Sequence, residues 1–485
     1  MSEPDYDLCI IGGGIHGTGI ARDAAGRGLK VILLEKDDLA SATSSASSKM
    51  LHGGLRYLEH FEFRLVREGL RERKILLNLA PHIIRPMDFI LPHAGDLRPA
   101  WLIRLGLFLY DLLAGRAKLK SSKQIKFKDN PYGAPLKKTI RNGFIYTDGW
   151  MDDARLVVLN ARDAAHYGAD IHTRTKFLSA KVENHTWSIT AEHNKNIRTF
   201  TAAKIINAAG PWVHDVINNA NAKTSETPHI RLVKGSHIVV PRLYQGDHGY
   251  IFQSKDRRVI FAWPYGPDYN YIGTTDVDFD GNIDSVSIAD EEVIYLCNAV
   301  NQYFDKKTSP SDLVSSWSGV RTLLADENDN ASAVTRDYKL IYSEDNGAPF
   351  LSVFGGKLTT YRTLSEKAVN LLYGDSKWTA GKALPGGDFK DINSLIKKMK
   401  TKFPECENEL IKRYAHTYGT CMAEILQGTL GNNLGDNVYE GEIDYLIKNE
   451  WAQTVEDIIW RRTKLGLQIT PQTIENIRTY LEKNR

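Results

Sequence analysis

The residues with the clearest chemical meaning are three glycines near the N-terminus, Gly12, Gly14 and Gly17. They lie between an apolar segment and a helical one, and a second apolar segment ends at Glu35, 23 residues after Gly12. Gly12 permits a tight turn, Gly14 lets the backbone approach a pyrophosphate, and Gly17 allows helix and strand to pack closely. The helix start is expected to offer N–H groups to the phosphates, and Glu35 can accept hydrogen bonds from ribose hydroxyls. This pattern predicts a βαβ unit for a dinucleotide other than NADP, without separating NAD from FAD.

Two later segments are predicted to return to the same nucleotide. An apolar run ends in Ala209 and Gly210, where small residues let the backbone pass close beneath a ligand. Farther on, Gly356 and Lys357 precede a helix that starts near Thr359. A glycine-rich turn at a helix start offers unpaired N–H groups. Both segments are therefore expected to line the cofactor site.

The elements that must position these residues change in character along the chain. Residues 151–212 alternate helical and strand patterns, whereas residues 229–355 consist mostly of short strand patterns. The residues after Pro385 carry helical periodicity. We expect an α/β nucleotide domain, an antiparallel second domain that includes strands at 339–343 and 350–353, and a helical C-terminal cap.

Composition narrows the class of protein. A chain of 485 residues is expected to form more than one domain, and 42% hydrophobic with 25% charged residues is typical of soluble globular proteins. A net charge of +3 does not favour nucleic acid as a partner. The four cysteines form no CxxC pair, which predicts a reducing compartment and no metal site. Because the N-terminus enters the first strand at once, we expect no signal peptide and a cytoplasmic protein.

The segment from residue 98 to residue 128 combines an apolar helix with a basic run. It contains eight basic residues and one acid, and Trp101, Leu105, Phe108 and Leu112 recur at helical spacing. The apolar stretch is too short to span a bilayer. Two interpretations remain open: a core-facing helix followed by a solvated loop, or an amphipathic helix lying on an anionic membrane.

Further motifs are distributed over nearly the whole chain. They are Ser44-Ser45-x-Ser47-Ser48-Lys49-Met50-x-His52-Gly53-Gly54-Leu55-Arg56-Tyr57-Leu58-Glu59, Lys234-Gly235-Ser236-His237, Ile272-Gly273-Thr274-Thr275-Asp276, Ser318-Gly319-Val320-Arg321, Thr335-Arg336-Asp337-Tyr338, Phe354-Gly355-Gly356-Lys357-Leu358-Thr359-Thr360-Tyr361-Arg362 and Trp460-Arg461-Arg462-Thr463-Lys464-Leu465-Gly466. In this order they resemble the FAD-dependent, quinone-linked glycerol-3-phosphate dehydrogenases, which belong to the glycine oxidase and D-amino-acid oxidase group of flavoproteins.

The resemblance implies a mixed α/β (α+β) fold with FAD as the cofactor. It implies a discontinuous Rossmann-like FAD-binding domain (1–75, 151–228 and 354–384), an antiparallel-sheet substrate domain (76–150 and 229–353) and a helical cap (385–485). The residues expected to bind FAD are Gly12, Gly14, Ile15, His16, Gly17, Glu35, Lys36, Ser44, Ser45, Ser48, Val182, Ala209, Gly210, Gly356, Lys357, Leu358 and Thr359.

The reaction implied by the resemblance is oxidation of glycerol 3-phosphate at C2, with hydride transfer to flavin N5. Arg56, Arg321 and Arg336 are the candidates for the phosphate, because guanidinium groups bind phosphate oxygens bidentately. The family's substrate site makes His237 the first candidate for the base that takes the C2 hydroxyl proton. Lys357 is its rival and would also stabilise reduced flavin. Tyr57 and Thr274 are expected to hydrogen-bond the substrate.

Several alternatives remain open at this stage. An oxygen-using glycerol-3-phosphate oxidase, an amine or amino-acid oxidase on the same fold, and a non-catalytic FAD-binding scaffold are the competing functions. The chain lacks the insertion that resemblance associates with the oxidases and the cysteine clusters of the anaerobic branch, which favours a membrane quinone as acceptor. A quinone acceptor would require peripheral attachment to the anionic inner face of the cell membrane. A homodimer is a further candidate assembly.

Overall fold

A computed structural model gives the architecture of the chain. It describes residues 3–94, 98–115, 119–254, 256, 258–324 and 338–484, with the side chains of residues 56, 59 and 60 left aside. Two large sheets lie in the first three quarters of the described chain, and a helical domain follows. The mixed α/β fold with a helical C-terminal domain is confirmed.

The strands of the described residues have the following bounds in chain order. They are β1 (Tyr6–Ile11), β2 (Val31–Leu34), β3 (Met50–Leu51), β4 (Ile84–His93), β5 (Lys123–Lys126), β6 (Asn142–Met151), β7 (Asp170–His172), β8 (Thr175–Glu183), β9 (Thr186–His193), β10 (Asn196–Asn207), β11 (Ile230–Pro241), β12 (Gly249–Gln253), β13 (Val259–Tyr265), β14 (Tyr269–Gly273), β15 (Val277–Asp278), β16 (Ser315–Leu324), β17 (Tyr338–Ser343), β18 (Phe350–Gly355), β19 (Asn433–Gly435) and β20 (Val438–Tyr439).

The α-helices of the described residues are likewise given in chain order. They are α1 (Ile15–Gly26), α2 (Phe63–Leu79), α3 (Ala100–Ala114), α4 (Asp153–His166), α5 (Val213–Asn219), α6 (Asp290–Val300), α7 (Tyr361–Tyr373), α8 (Ile392–Lys402), α9 (Asn408–Tyr418), α10 (Met422–Gln427), α11 (Glu440–Glu450) and α12 (Pro471–Lys483).

The first sheet is built around parallel strands in the order β18-β10-β1-β2-β7. The ribbon β8–β9 pairs with the outer part of β10, and β17 adds an antiparallel edge. Strands β1 and β2 are almost wholly buried, as expected of parallel strands covered on both faces. The carboxyl ends of β1, β10 and β18 therefore meet at one edge, where a nucleotide binds in such folds.

The second sheet runs in the order β15-β11-β14-β13-β12-β4-β6-β3, with β16 paired to β11 and β5 paired to β6. Its pairs are antiparallel except that between β12 and β4. Alternating residues of β11 and β14 reach a core of aliphatic and aromatic side chains closed by α6. The second sheet lies next to the edge of the first sheet at which β1, β10 and β18 end, since residues of both line one cavity.

One part of the predicted organisation needs correction. The segments at 339–343 and 350–353 were predicted to belong to the antiparallel second domain, yet β17 and β18 lie in the first sheet. Strand β18 pairs in parallel with β10, and Phe350 to Phe354 are all buried. A short apolar run does not reveal its partners, because parallel neighbours are distant in sequence. The third segment of the domain built on the first sheet therefore begins at residue 338, where β17 starts, and not at residue 354.

Helix α3 presents an apolar face to solvent. Trp101 is 68% exposed, Phe108 56% and Leu112 66%, whereas Leu107 and Tyr110 on the other face are buried. The interpretation of residues 101–112 as a core-facing helix is therefore wrong for the face that carries Trp101, Phe108 and Leu112. Among the described helices, none is long and apolar enough to cross a membrane.

Candidate active site

The turn between β1 and α1 can accommodate only glycine at two positions. Gly12 has φ +113°, and a Cβ there would lie 2.5 Å from the carbonyl oxygen of Ala208. A Cβ on Gly17 would lie 1.8 Å from the carbonyl oxygen of Gly12. The helix N-terminus consequently approaches the edge of the sheet closely, with Ile15 N–H donating to Ser44 Oγ at 3.0 Å. This is the geometry that a pyrophosphate needs.

Glu35 lies at the end of β2 beside this turn. Its Oε2 accepts from the N–H of Gly13 at 2.6 Å, and its Oε1 accepts from the N–H of Asp37 at 2.8 Å. Burial raises the pKa of Glu35 to about 7, although both backbone hydrogen bonds act in the opposite direction. Each carboxylate oxygen keeps a second lone pair for a ribose hydroxyl. Next to it, Lys36 bridges Asp37 and Asp284 at 2.6 and 2.7 Å.

One cavity of about 2040 Å³ joins this turn to the second sheet. Most of the predicted cofactor residues line it, namely Gly12, Gly14, Ile15, His16, Glu35, Lys36, Ser44, Ser48, Ala209, Gly210, Gly356, Lys357, Leu358 and Thr359. Gly17 lies beneath the turn as a packing residue. Ser45 turns its hydroxyl to the carbonyl of Ala42 at 3.3 Å, away from the lining.

Val182 also stands apart from the cavity lining. It lies on β8, pairs with Trp187 of β9 and packs against the core of the first sheet. Lys176 and Phe177, earlier on the same strand, line the cavity in its place. The sequence pattern locates the strand but not the residue along it that reaches the ligand.

His16 and the second glycine-rich turn meet inside the cavity. Gly356 has φ +97°, a left-handed conformation that favours glycine, and a Cβ there would lie 2.6 Å from Cε1 of His16. Burial lowers the pKa of His16 to about 4, so the imidazole is neutral at physiological pH. Its buried Nε2 has no hydrogen-bond partner among the described residues. An orphaned polar atom of this kind is expected where a bound group completes the site.

The second sheet contributes His237 to the same cavity. His237 lies on β11, its ring stacks on Trp317 at 5.1 Å, and its Nε2 is 2.8 Å from Ser48 Oγ. Burial lowers the pKa of His237 well below its ordinary value, and the positive charges of Lys49 and Arg321 lower it further. The imidazole is therefore neutral, with an oriented ring, and can serve as a proton acceptor.

Arg321 and Thr274 lie in the same part of the cavity. The Arg321 guanidinium donates to Thr274 Oγ1 at 3.0 Å and forms an ion pair with Asp276. Gly235, on the neighbouring strand, leaves the space that the guanidinium occupies, since a Cβ there would lie 2.4 Å from it. Asp276 and Thr274 thus fix the plane of a charge that can bind an anion.

Lys357 and Tyr57 meet at another part of the lining. The Nζ of Lys357 lies 4.0 Å from the centre of the Tyr57 ring. Arg56 lies on the short 3₁₀ helix Leu55–His60, but its side chain is outside the described part of the structure. Arg336 falls within residues 325–337, which are also outside it. The structure therefore places His237, Arg321, Thr274, Tyr57 and Lys357 in the lining of one cavity.

Two buried charges next to the site were not identified from the sequence. Lys49 Nζ lies 3.0 Å from both carboxylate oxygens of Asp153 and 4.9 Å from the ring centre of Trp317. Burial lowers the pKa of Lys49 to about 8, with the Asp153 charge opposing the shift. Lys49 stands within the Ser44–Met50 motif, but nothing in the sequence indicates that Asp153, 104 residues away, is its partner.

Comparison with known proteins decides the family. Residues 7–362 match the sequence profile described as FAD dependent oxidoreductase. The chain belongs to this family of FAD-dependent oxidoreductases. Residues 378–482 of the oxidoreductase match a second profile, the C-terminal domain of alpha-glycerophosphate oxidase. The cofactor of the oxidoreductase is FAD. The glycine turn between β1 and α1, the extended cavity and the orphaned Nε2 of His16 fit that group.

Individual relatives agree over almost the full length. The oxidoreductase is 49% identical to a glycerol-3-phosphate dehydrogenase of Pseudomonas aeruginosa, over 98% of this chain and 95% of the relative. It is also 49% identical to the D-erythritol 1-phosphate dehydrogenase of Brucella abortus, over 97% and 96%. The crystal structure of a glycerol-3-phosphate dehydrogenase from Bacillus halodurans complexed with FAD has a TM-score of 0.80 at 26% identity, covering 100% of this chain and 91% of that one.

Proposed function

We propose that this protein oxidises sn-glycerol 3-phosphate to dihydroxyacetone phosphate and passes the electrons to a membrane quinone. The observation that carries the proposal is the neutral, buried His237 sharing one FAD-sized cavity with the oriented guanidinium of Arg321. A secondary alcohol phosphate requires both groups, one to take a proton and one to bind a dianion. The 49% identical relative of that name supports the same substrate.

The proposed chemistry assigns one role to each side chain. When bound, FAD supplies the acceptor for the hydride that leaves C2. The substrate hydroxyl replaces the Ser48 hydroxyl, which lies 2.8 Å from Nε2 of His237, and Nε2 then takes the C2 hydroxyl proton. Thr274 orients the substrate, and Lys357 with Tyr57 stabilises negative charge in the cavity. Arg321 holds the phosphate, together with Arg56 and Arg336.

Substitution of Arg321 by lysine tests the phosphate assignment. Lysine keeps the charge but cannot bind Asp276, Thr274 and a phosphate in one plane. We expect Arg321→Lys to weaken glycerol 3-phosphate binding by about 2 kcal/mol, roughly 30-fold in half-saturating concentration. The measurement is the substrate dependence of anaerobic flavin bleaching. Arg231→Lys, which alters a partly exposed arginine paired with Asp278, is the matched control. A half-saturating concentration equal to that of the parent would refute the assignment.

Erythritol 1-phosphate is a second candidate substrate, favoured by the 49% identity to the Brucella abortus relative. Both compounds present a phosphate and a secondary alcohol, so the same residues would serve. Anaerobic addition of each polyol phosphate should bleach the yellow flavin, and the ratio of the two bleaching rates at low concentration identifies the substrate. Glycine and glycerol are the controls, because bleaching by glycine would favour an amino-acid oxidase. No bleaching by either phosphate would refute the proposed function.

The quinone acceptor and the location at the inner face of the membrane belong to the same proposal. They are supported by the exposed apolar face of α3, because Leu102 and Leu105 of this helix are exposed and also line the cavity. Quinones are confined to lipid, so electrons must leave near an apolar surface. The reduced protein should be reoxidised faster by a short-chain quinone analogue than by oxygen. Faster reaction with oxygen would make it an oxidase.

A further inference from the structure

A buried charge cluster lies behind the serine turn, residues 44–48. Its centre is Asp153, the first residue of α4, which is fully buried. Its Oδ2 accepts from Ser47 N–H at 3.2 Å, from Ser47 Oγ at 2.7 Å and from Lys49 Nζ at 3.0 Å. Its Oδ1 accepts from Lys49 Nζ at 3.0 Å and from Ala154 N–H at 2.9 Å. Oδ2 thus binds the turn directly through Ser47, and both oxygens bind Lys49, the residue that follows it.

The serine turn connects the cofactor helix with the candidate base. At one end, Ser44 Oγ receives the N–H of Ile15 at the start of α1. At the other end, Ser48 Oγ lies 2.8 Å from Nε2 of His237. Lys49 adds a bond from Nζ to the carbonyl of Ser45 at 3.1 Å. A displacement of the turn would therefore move the groups around the substrate and around the dinucleotide together.

The C-terminal domain reaches into this cluster. Lys464 Nζ lies 3.2 Å from Oδ1 of Asp153 and 3.6 Å from Oδ1 of Asp152. Burial raises the pKa of Asp153, but the charges of Lys464 and Lys49 hold it below its ordinary value. Two positive and two negative side chains thus compensate one another in a buried site. Without Lys464, the buried carboxylates of Asp152 and Asp153 would have only the charge of Lys49 to compensate them, which is unfavourable.

We propose that Asp153, anchored by Lys464 of the C-terminal domain, is the positioning residue that sets the serine turn and through it His237. This inference rests on the proposed function for its kinetic consequence, since neither residue contacts the substrate. The C-terminal domain then contributes to the rate of proton removal from a distance. Misplacement of a catalytic group by about 1 Å is sufficient to slow a reaction markedly.

The kinetic test uses the FAD-loaded full-length protein and anaerobic stopped-flow reduction by glycerol 3-phosphate or erythritol 1-phosphate. Asp153→Asn should lower the limiting rate of flavin reduction about tenfold, and Lys464→Met about fivefold, with the half-saturating substrate concentration changed less than twofold. Lys464→Arg should restore most of the rate. Asp152→Asn is the graded control, because asparagine still caps α4 and Asp152 meets the cluster only through Lys464 at 3.6 Å, so its effect should be clearly smaller than that of Asp153→Asn.

A second readout is independent of substrate. Hydrogen exchange of the peptide covering residues 43–50, measured by mass spectrometry, should be faster in Asp153→Asn and Lys464→Met than in the parent and in Asp152→Asn. If Asp153→Asn does not fold, Lys464→Met carries both measurements. Exchange and limiting rate unchanged in Lys464→Met, or equally altered in Asp152→Asn, would overturn the proposal. Failure of the parent to bleach would instead refute the proposed function, while faster exchange would still support the positioning of the turn.

Discussion

Replacement of His237 by glutamine should slow anaerobic flavin reduction by about 10²-fold or more. Glutamine can still hydrogen-bond the Ser48 hydroxyl and occupies a similar space, but it cannot accept a proton. Because glutamine fills a similar space in the buried position against Trp317, the substitution is expected to leave the flavin spectrum and the FAD content unchanged. Stopped-flow absorbance at saturating glycerol 3-phosphate gives the rate directly. Since His237 is assigned to proton removal and Arg321 to phosphate binding, we expect the limiting rate of flavin reduction to fall and the half-saturating substrate concentration to change little.

Lys357→Met distinguishes the rival base from the first candidate. Lys357 contacts the Tyr57 ring at 4.0 Å and lines the same cavity, so it is close enough to act on the substrate or the flavin. If it only stabilises charge, its loss should slow reduction less than the loss of His237. Rapid reduction in His237→Gln together with abolished reduction in Lys357→Met would exchange the two roles.

The pH dependence of the parent gives an independent check on His237. Burial and the charges of Lys49 and Arg321 depress the pKa of the imidazole, so it remains neutral as the pH falls through 6.5. A base with a depressed pKa loses activity only when the pH falls through the lowered value. The limiting rate of flavin reduction should therefore hold to well below pH 6.5. A loss of rate centred near 6.5 would indicate a solvated base.

The cofactor half of the site could be predicted from the sequence because its determinants are local. Gly17 is required by a backbone contact within one βαβ unit, Gly12 by the positive φ of its turn, and Glu35 follows at a spacing set by one helix and one strand. Local geometry of this kind leaves a pattern that a single sequence reveals. The second glycine-rich turn was found for the same reason. Apart from Gly17, which packs beneath the first turn, these residues line the cavity.

Features that depend on distant pairing were not predictable in the same way. Strand β18 joins the first sheet through β10, some 150 residues earlier, and its apolar sequence fits either sheet. The ion pair of Lys49 with Asp153 and the approach of Lys464 to it arise only after three separate segments have packed. Periodicity also could not orient α3, because a helix with one apolar face can turn that face to a core or to solvent.

The exposed face of α3 leads to the second large effect. Trp101, Phe108 and Leu112 protrude from one helix, and Lys123, Lys126 and Lys128 on and after β5 are exposed. Apolar side chains insert at the boundary between headgroups and acyl chains, while basic residues are attracted to anionic lipid. Arg116 and Lys118 lie outside the described residues. This surface should therefore bind anionic vesicles, and added salt should weaken the binding.

Replacing Trp101, Phe108 and Leu112 with glutamine should release the protein from anionic vesicles. The variant loses the free energy that the parent gains when these three largely exposed apolar side chains leave water for the membrane. That loss is about 4 kcal/mol, roughly 10³-fold in partitioning. None of the three lines the cavity, so flavin bleaching should be unchanged while reoxidation by vesicle-bound quinone falls. The control replaces Ile197, Ile294 and Leu371, which are comparably exposed on other elements. Because both triple variants lose similar apolar area, equal vesicle binding by the two would locate the membrane contact elsewhere.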